Sequence, residues 1–140
     1  MKRAILFFIT PLLLLLFATG CCDCRKQASN VKPLVGTKWQ LVQLMAKDVQ
    51  PEGNQYTLYL RESGTFSARG CCNNMSGTYR MTTSRELDFT HGSMTLVACD
   101  ELMELEYFGM LDGVTHYEMD GSMMLLLRNG ELVAIMRAVE

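Results

Sequence analysis

Three cysteines, Cys71, Cys72 and Cys99, are the residues of this sequence best suited to chemistry. Thiols form disulfides in an oxidising compartment, and thiolates also bind soft metal ions. If the strand before Cys72 continues through it, Cys72 shares the phase of Phe66 and faces the core, whereas Cys71 faces the other way. We therefore expect a Cys72–Cys99 disulfide with Cys71 outside it. Buried reduced thiols and a redox or metal site remain as alternatives.

Methionine is the second group of potential soft-metal ligands, since ten of the eleven methionines follow Gly20. Cuprous copper favours thioether and thiolate ligands. However, the sequence shows no Met-x-x-Met or His-Met cluster on a loop, and most methionines fall within predicted strands or a predicted helix. Their pattern is typical of core filling. The methionines assigned to predicted strands or to the predicted helix are Met103, Met110, Met119, Met123, Met124 and Met136.

The histidines and serines do not form a catalytic pattern. His91 and His116 are the only histidines, and neither belongs to a metal-binding spacing. His91 lies in a predicted Thr-His-Gly turn and is expected to be exposed, while His116 lies in a predicted strand. Ser76 does not stand in a Gly-x-Ser-x-Gly motif. We therefore expect a protein that is not an enzyme, with no cofactor and no metal.

The clustered acidic residues and the adjacent asparagines have structural explanations. Glu101, Glu104 and Glu106 crowd the start of a predicted helix, where the helix dipole alone accounts for acidic residues. These residues are not expected to bind calcium, because the sequence lacks the Asp-rich loop that this ion prefers. Asn73 and Asn74 suit a turn, because asparagine adopts the left-handed conformation and bonds its own backbone.

Short apolar runs separated by turn residues predict a mainly antiparallel sheet. Asp120-Gly121 and Asn129-Gly130 are type I′ turn signals, and they divide Thr115–Glu140 into a three-stranded meander. Met123–Leu127 is apolar on both faces, which favours a central strand. The earlier predicted strands are Thr37–Met45, Gln55–Arg61, Thr65–Gly70, Ser76–Thr82 and Glu86–Thr90.

A single good helix candidate, Asp100–Asp112, is capped by Asp100 and ended by Gly113. Apolar residues occur on all sides of this helix, so we expect it to be wedged in the fold. It should close one end of a curled sheet. Trp39, Tyr79, Phe108 and the methionines of the meander should line the interior. An apolar ligand, if any, should enter where that end stays open.

The N-terminus predicts export and lipid anchoring. Lys2 and Arg3 precede an uncharged segment, Ala4–Ala18, that is typical of a secretory signal and shorter than the roughly 20 residues of a membrane span. The following Thr-Gly-Cys resembles a bacterial lipoprotein signal, which implies lipidation at Cys21. Cys22 as the acceptor and an uncleaved anchor are the alternatives. We therefore divide the chain into a signal peptide over 1–20, a tether over 21–35 and one domain over 36–140.

The net charge argues against one class of partner. From residue 21 onward the chain carries 11 basic and 15 acidic side chains, a formal charge of −4. This disfavours a nucleic-acid binder. The expected partners are a membrane, through the N-terminal lipid, and an envelope protein or an apolar ligand.

A family resemblance rests on the stretch from Gly70 to Tyr79 and on Thr95-Leu96-Val97-Ala98-Cys99. Together with a Trp in the first strand, these motifs resemble the META domain of HslJ-like bacterial lipoproteins. Cys71 and Val97 depart from the family pattern, which usually has Gly and Met at these places. The matching residues are Trp39, Cys72, Asn73, Gly77, Tyr79, Thr95, Ala98 and Cys99.

The resemblance implies an α+β domain, with a curled antiparallel sheet approaching an open barrel and one helix. It implies an exported protein that is lipid-anchored to a bacterial envelope membrane, the outer membrane above all, with a role in stress or antibiotic tolerance. It supplies no catalytic residues. Two functions follow as hypotheses: a non-enzymatic envelope lipoprotein that binds a partner or an apolar ligand, and a thiol- or copper-handling envelope protein that uses its Cys and Met residues.

Overall fold

The computed structural model describes residues 31–98 and 102–140, which form one antiparallel sheet and one helix. Cys21, Cys99 and the predicted signal helix lie outside the described residues. The helix is α1 (Leu102–Leu111). The strands are β1 (Lys38–Leu44), β2 (Lys47–Asp48), β3 (Thr57–Leu60), β4 (Thr65–Arg69), β5 (Asn74–Met81), β6 (Leu87–Met94), β7 (His116–Asp120), β8 (Met123–Arg128) and β9 (Glu131–Val139).

The strands follow the order β6-β5-β4-β3-β1-β9-β8-β7, and β2 pairs with β1. Every pairing between the described strands is antiparallel, as the turn signals predicted. The edge strands β6 and β7 meet only where they begin. There, Leu87 N donates to Thr115 O at 3.0 Å and Tyr117 N donates to Arg85 O at 3.0 Å. The sheet is therefore strongly curled but does not close into a barrel.

The hairpin turns show how local sequence sets the register. Asn129 and Gly130 have φ angles of 51° and 87°, and they connect Arg128 to its partner Glu131. This confirms the predicted type I′ turn. At the preceding hairpin, Asp120 already pairs with Met123, so the turn residues are Gly121 and Ser122. The turn thus lies one residue later than predicted, and positive φ is needed only at Gly121.

Helix α1 lies across one end of the curled sheet, as predicted. Its inward side buries Tyr107, Phe108 and Leu111, and the hydroxyl of Tyr107 donates to Thr57 O at 2.9 Å. Burial raises the pKa of the Tyr107 phenol. The expectation that the helix would be enclosed on all sides was wrong, because Leu102 and Leu105 are 69% and 67% exposed.

The C-terminal end of α1 is held by Arg128 from β8. Its Nη2 donates to Met110 O at 3.5 Å, which places a cation at the negative end of the helix dipole. Gly113 follows the helix, and a Cβ at this position would lie 2.1 Å from Arg128 Nε. A larger residue here would displace the Arg128 guanidinium from the end of the helix.

The core fills the space between α1 and the inner face of the sheet. Trp39 is fully buried, and Phe66 packs edge-on against Phe89 with ring centroids 5.1 Å apart. Of the six methionines interpreted as core filling, three are at most 1% exposed and three are only partly buried. The buried ones are Met110, Met124 and Met136, and the partly buried ones are Met103, Met119 and Met123.

The segment before β1 covers the other end of the sheet. Leu34 is buried and its carbonyl accepts the indole N–H of Trp39 at 2.9 Å. Gly36 N donates to Leu60 O, and Lys32 N donates to Gly121 O. Residues 32–35, which the sequence placed in the tether, thus contact the sheet. Among the described residues, no helix is long and apolar enough to span a membrane.

Candidate functional site

The Gly70–Asn73 turn, which connects β4 to β5, lies directly beneath α1. Strand β4 ends at Arg69, and Gly70 N donates to Asn73 O at 2.8 Å to close the turn. The turn exposes the backbone N–H groups of Cys72 and Asn73, which a strand would have paired. These donors must find acceptors elsewhere.

Glu104 of α1 supplies the acceptors. Its Oε2 accepts Cys72 N at 2.7 Å and Asn73 N at 3.0 Å, and its Oε1 accepts the side-chain Nδ2 of Asn73 at 2.6 Å. The carboxylate is only 3% exposed. It therefore fastens the helix to the turn through three charge-assisted hydrogen bonds.

The Asn73 side chain extends this network to the segment that follows β6. Its Oδ1 accepts Val97 N at 2.7 Å and the hydroxyl of Thr95 at 3.0 Å, while its Nδ2 also donates to Val97 O. Asn74 N in turn donates to Thr95 Oγ1 at 3.0 Å. One buried amide thus joins the turn, the segment after β6 and the helix.

Opposing effects set the pKa of Glu104. Burial raises the pKa, but the hydrogen bonds from the Asn73 side chain, the Asn73 and Cys72 backbone and the Cys71 side chain together outweigh it. The pKa of Glu104 therefore lies below its ordinary value, and the group is a stable carboxylate. A carboxylate held in this way is suited to structural support and poorly suited to proton transfer near neutral pH.

Gly70 is required by the same carboxylate. A Cβ at position 70 would lie 2.3 Å from Glu104 Oε2. Glycine here allows the acid to approach the backbone of the turn.

The structure brings together the predicted site residues Cys72, Asn73 and Thr95, with Ala98 nearby, and places Trp39, Gly77 and Tyr79 elsewhere in the sheet. Trp39 lies in the core. Tyr79 lies on the side of β5 that faces the core but is only half-buried, so it lines the interior only in part. Its hydroxyl donates to Arg61 O at 2.7 Å. Gly77 stands at a register shift in β5, where a Cβ would lie 2.1 Å from Thr90 O. Ala98 lines the groove described below.

The predicted orientations of Cys71 and Cys72 were wrong. Because β4 ends at Arg69, the strand alternation does not extend to Cys71 and Cys72. Cys71 packs against the core, and Cys72 is exposed. The pairing of Cys72 with Cys99 involves a residue outside the described ones and stays a prediction.

Cys71, Cys72 and Glu104 form a compact group whose potential ligand atoms all lie within 4.8 Å of one another. The two sulfur atoms are 3.5 Å apart. Both carboxylate oxygens of Glu104 already accept hydrogen bonds, so a metal ion would have to displace them. The buried methionines of the core lie in separate elements, while the half-buried Met103 of α1 lines one cavity together with Cys71.

The histidines do not assemble a catalytic set within residues 31–98 and 102–140. His91 lies in β6, which runs to Met94, so the predicted turn at this position was wrong. Its Nε2 lies 2.8 Å from Asp112 Oδ1. The contact of His116 is with a hydroxyl, since its Nδ1 lies 3.1 Å from Thr115 Oγ1.

A groove of about 230 Å³ runs between α1 and the end of β6 and is hereafter the α1 groove. Asn73, Glu104 and Phe108 form its base. Its upper walls are apolar and exposed, with Leu96 at 84%, Val97 at 60% and Leu105 at 67%. Met94 also lines the groove, and the exposed Leu102 precedes Leu105 by three residues, on the same side of α1. Sequence analysis missed this surface, because apolar side chains in such a pattern are usually buried.

Comparisons with known proteins agree with this architecture. The family model described as META domain matches residues 32–140. Among curated proteins, none matches the sequence. A DUF4847 family protein from Bacteroides vulgatus ATCC 8482 is 14% identical with a TM-score of 0.58, covering 74% of this chain and 92% of its own. A protein from Burkholderia xenovorans is 21% identical with a TM-score of 0.54, covering 76% and 83%. At these identities the two structures share the fold alone.

Proposed function

The chain belongs to the META domain family, and from this premise we propose that it is a non-enzymatic lipoprotein of the bacterial envelope. Its lipid at Cys21 holds it to a membrane, the outer membrane above all, and its domain binds an apolar segment of another envelope protein in the α1 groove. The role in stress or antibiotic tolerance that the resemblance implies would be exerted through this partner.

The observation that carries the proposal is the exposed apolar wall of the α1 groove above a fixed polar base. Four large apolar side chains that are 43% to 84% exposed line this groove. A contiguous apolar patch of some 300–600 Å² on a monomer is often functional. The members are Met94, Leu96, Val97 and Leu105. The hydrogen bonds of Asn73 and Glu104 hold the base in place, so binding would order few groups.

The chemistry of the partner follows from size and charge. A volume of about 230 Å³ is below the roughly 300–1,000 Å³ of small-molecule cavities, so the groove suits a few side chains better than a whole lipid tail. The segment 100–112 carries five acidic residues and no basic residue. We therefore expect apolar side chains flanked by Lys or Arg on the partner.

Site-specific photocrosslinking in intact cells tests this proposal. A photoreactive side chain at Leu96 or Leu105 should cross-link one protein, and the cross-linked peptide should be apolar with flanking basic residues. A probe at Leu132, which is 45% exposed on β9, serves as the matched control. Leu105→Asp should abolish the product obtained from Leu96. Equal products from Leu96 and Leu132, or a peptide without this pattern, would overturn the proposal.

A thiol- or copper-handling protein is the second candidate, favoured by the proximity of Cys71, Cys72 and Glu104. The two candidates differ in what Cys72 does in the exported protein. A Cys72–Cys99 disulfide removes the sulfur ligand, whereas copper handling requires a thiolate. Native mass spectrometry of the full exported protein after addition of cuprous ion decides between them, since a bound ion lost in Cys71→Ser supports only the second.

A further inference from the structure

The outer face of the sheet holds a second groove, hereafter the outer groove, where β1, β3, β4 and β5 lie side by side. Its volume is about 330 Å³, within the range of small-molecule sites. The strand register places its lining in two adjacent rows. One row runs Lys38, Tyr59, Ser67, and the other runs Thr57, Arg69, Asn74.

Positive charge is concentrated at this groove. Lys38 stands on one side and Arg69 on the other, and Arg61 packs over the Tyr59 ring with its Cζ 5.3 Å from the centroid. Within the described ranges, the ion pairs involve other residues, and none neutralises these three cations. Lys38 Nζ has an amide contact, to Asn54 Oδ1 at 3.4 Å.

The local charge is opposite to that of the whole molecule. From residue 21 onward the formal charge is −4 (11 − 15), yet the outer groove gathers cations. A concave site of one sign concentrates ligands of the other sign. The negative charge elsewhere would repel a long polyanion, so the groove favours a short anionic unit.

The remaining lining has the chemistry of a polyol site. Thr57 and Ser67 present hydroxyl groups, Asn74 presents an amide, and Tyr59 and the Lys38 stem add apolar surface. Hydroxyl and amide groups both donate and accept, which matches the hydroxyls of a sugar. Arg61 Nη2 donates to Ser67 Oγ at 3.2 Å and thereby orients that hydroxyl.

We propose that the outer groove binds an anionic saccharide unit, a sugar phosphate or sugar acid. The acid group lies between Lys38 and Arg69, and the sugar hydroxyls face Thr57, Ser67 and Asn74. This site lies on the wall of the sheet, whereas the α1 groove lies at its end, so it is independent of the protein partner proposed above.

Isothermal titration of the full exported protein in mild detergent tests the proposal with glucose 6-phosphate, glucuronate, glucose and inorganic phosphate. Both acidic sugars should bind and glucose should not, and phosphate should bind more weakly than glucose 6-phosphate. Added salt should weaken binding, because the attraction is electrostatic.

Charge-neutralising variants locate the site. Arg69→Gln and Lys38→Gln should each weaken glucose 6-phosphate binding by about tenfold, since each removes a charge-assisted hydrogen bond. Arg85→Gln removes the same charge at the β5–β6 turn, away from the groove, and should change the affinity by less than about twofold.

Three results would overturn the proposal. The first is the absence of binding by both acidic sugars at millimolar concentration, or equal binding of glucose. The second is an equal loss of affinity in Arg85→Gln and Arg69→Gln. The third is binding to phosphatidylglycerol vesicles that depends on Arg69 and is not reduced by glucose 6-phosphate, which would assign the groove to a lipid headgroup.

Discussion

At the scale of single residues, Glu104 carries the largest structural role. Cys72 N, Asn73 N and Asn73 Nδ2 all donate to its carboxylate, as does the Cys71 side chain. A glutamine can offer only one acceptor oxygen to these donors. We predict that Glu104→Gln lowers the free energy of unfolding by about 2–3 kcal/mol, because buried donors are left without partners. Urea unfolding measures this.

Glu106→Gln is the matched control, since Glu106 only approaches Lys47 at 4.0 Å on the surface. This substitution should lower the free energy of unfolding by less than about 1 kcal/mol. Equal losses would contradict the assigned role.

The same carboxylate predicts a pH dependence. Hydrogen bonds hold the pKa of Glu104 below its ordinary value in the folded protein. The stability that it contributes is therefore fully present above the pKa of the unfolded chain, and is lost as the pH falls through the folded pKa. The stability difference between wild type and Glu104→Gln should shrink as the pH falls below the usual range of glutamate. A difference that stays constant down to strongly acidic pH would contradict this.

Glu104 also shows what sequence analysis missed. It precedes Tyr107, Phe108 and Leu111 at spacings of three, four and seven residues, so it lies on their buried side of the helix. That spacing was a usable signal, but acidic residues near a helix start have a simpler explanation in the dipole. The turn roles of Asn73 and Gly70 were accessible in part, whereas their contacts with α1 depend on long-range packing.

For the cysteines we predict a Cys72–Cys99 disulfide in the exported protein. It would close a loop of about 27 residues. By restricting the unfolded chain it would raise the free energy of unfolding by on the order of 3.5 kcal/mol. Cys72→Ser and Cys99→Ser should lose this contribution equally, and their double variant should lose no more. Peptide mapping without reduction identifies the linked pair. A Cys71–Cys99 peptide would show that the pairing was wrong.

At the scale of elements, two glycines test opposite effects of a methyl group. At Gly77 in β5, a Cβ would collide with Thr90 O of β6, so Gly77→Ala should be destabilising by about 1–3 kcal/mol. At Gly109 in α1, a Cβ meets nothing within 4 Å. Gly109→Ala should therefore stabilise the protein by up to about 1 kcal/mol through helix propensity. Thermal unfolding of both variants should show shifts of opposite sign, and a shift of the same sign would contradict the packing at one of them.

The elements themselves were largely predictable, because alternation and turn residues are local signals. The meander from His116 to Val139 and helix α1 lie where the sequence placed them. The errors have physical causes. Strand β6 continues through His91 because β5 offers partners as far as Met94, and the curl of the sheet leaves Leu105 of α1 outside the core. Neither property is encoded in a short window of sequence.

At the scale of the whole molecule, the antiparallel topology gives the domain two distinct ends. Helix α1 contacts the starts of β3 and β5 through Thr57 and Asn73. Lys32 instead contacts Gly121, in the turn between the end of β7 and the start of β8, at the opposite end of the sheet. A lipid tether that reaches the domain through Lys32 would hold this second end towards the membrane. The α1 groove would then face away from the bilayer, where a partner can reach it.

This arrangement depends on lipidation at Cys21, which is the last prediction. Val31 stands ten positions after Cys21, a reach of at most about 36 Å when the chain is extended. Two or more acyl chains anchor a protein stably. Mass measurement of the membrane-extracted protein should therefore show a chain that begins at an acylated Cys21, and Cys21→Ser should release the domain or stall its precursor. Cys22→Ser is the matched control and should stay on the membrane. An acylated, membrane-bound Cys21→Ser protein would show that the assignment is wrong, and the orientation of the α1 groove would then lose its basis.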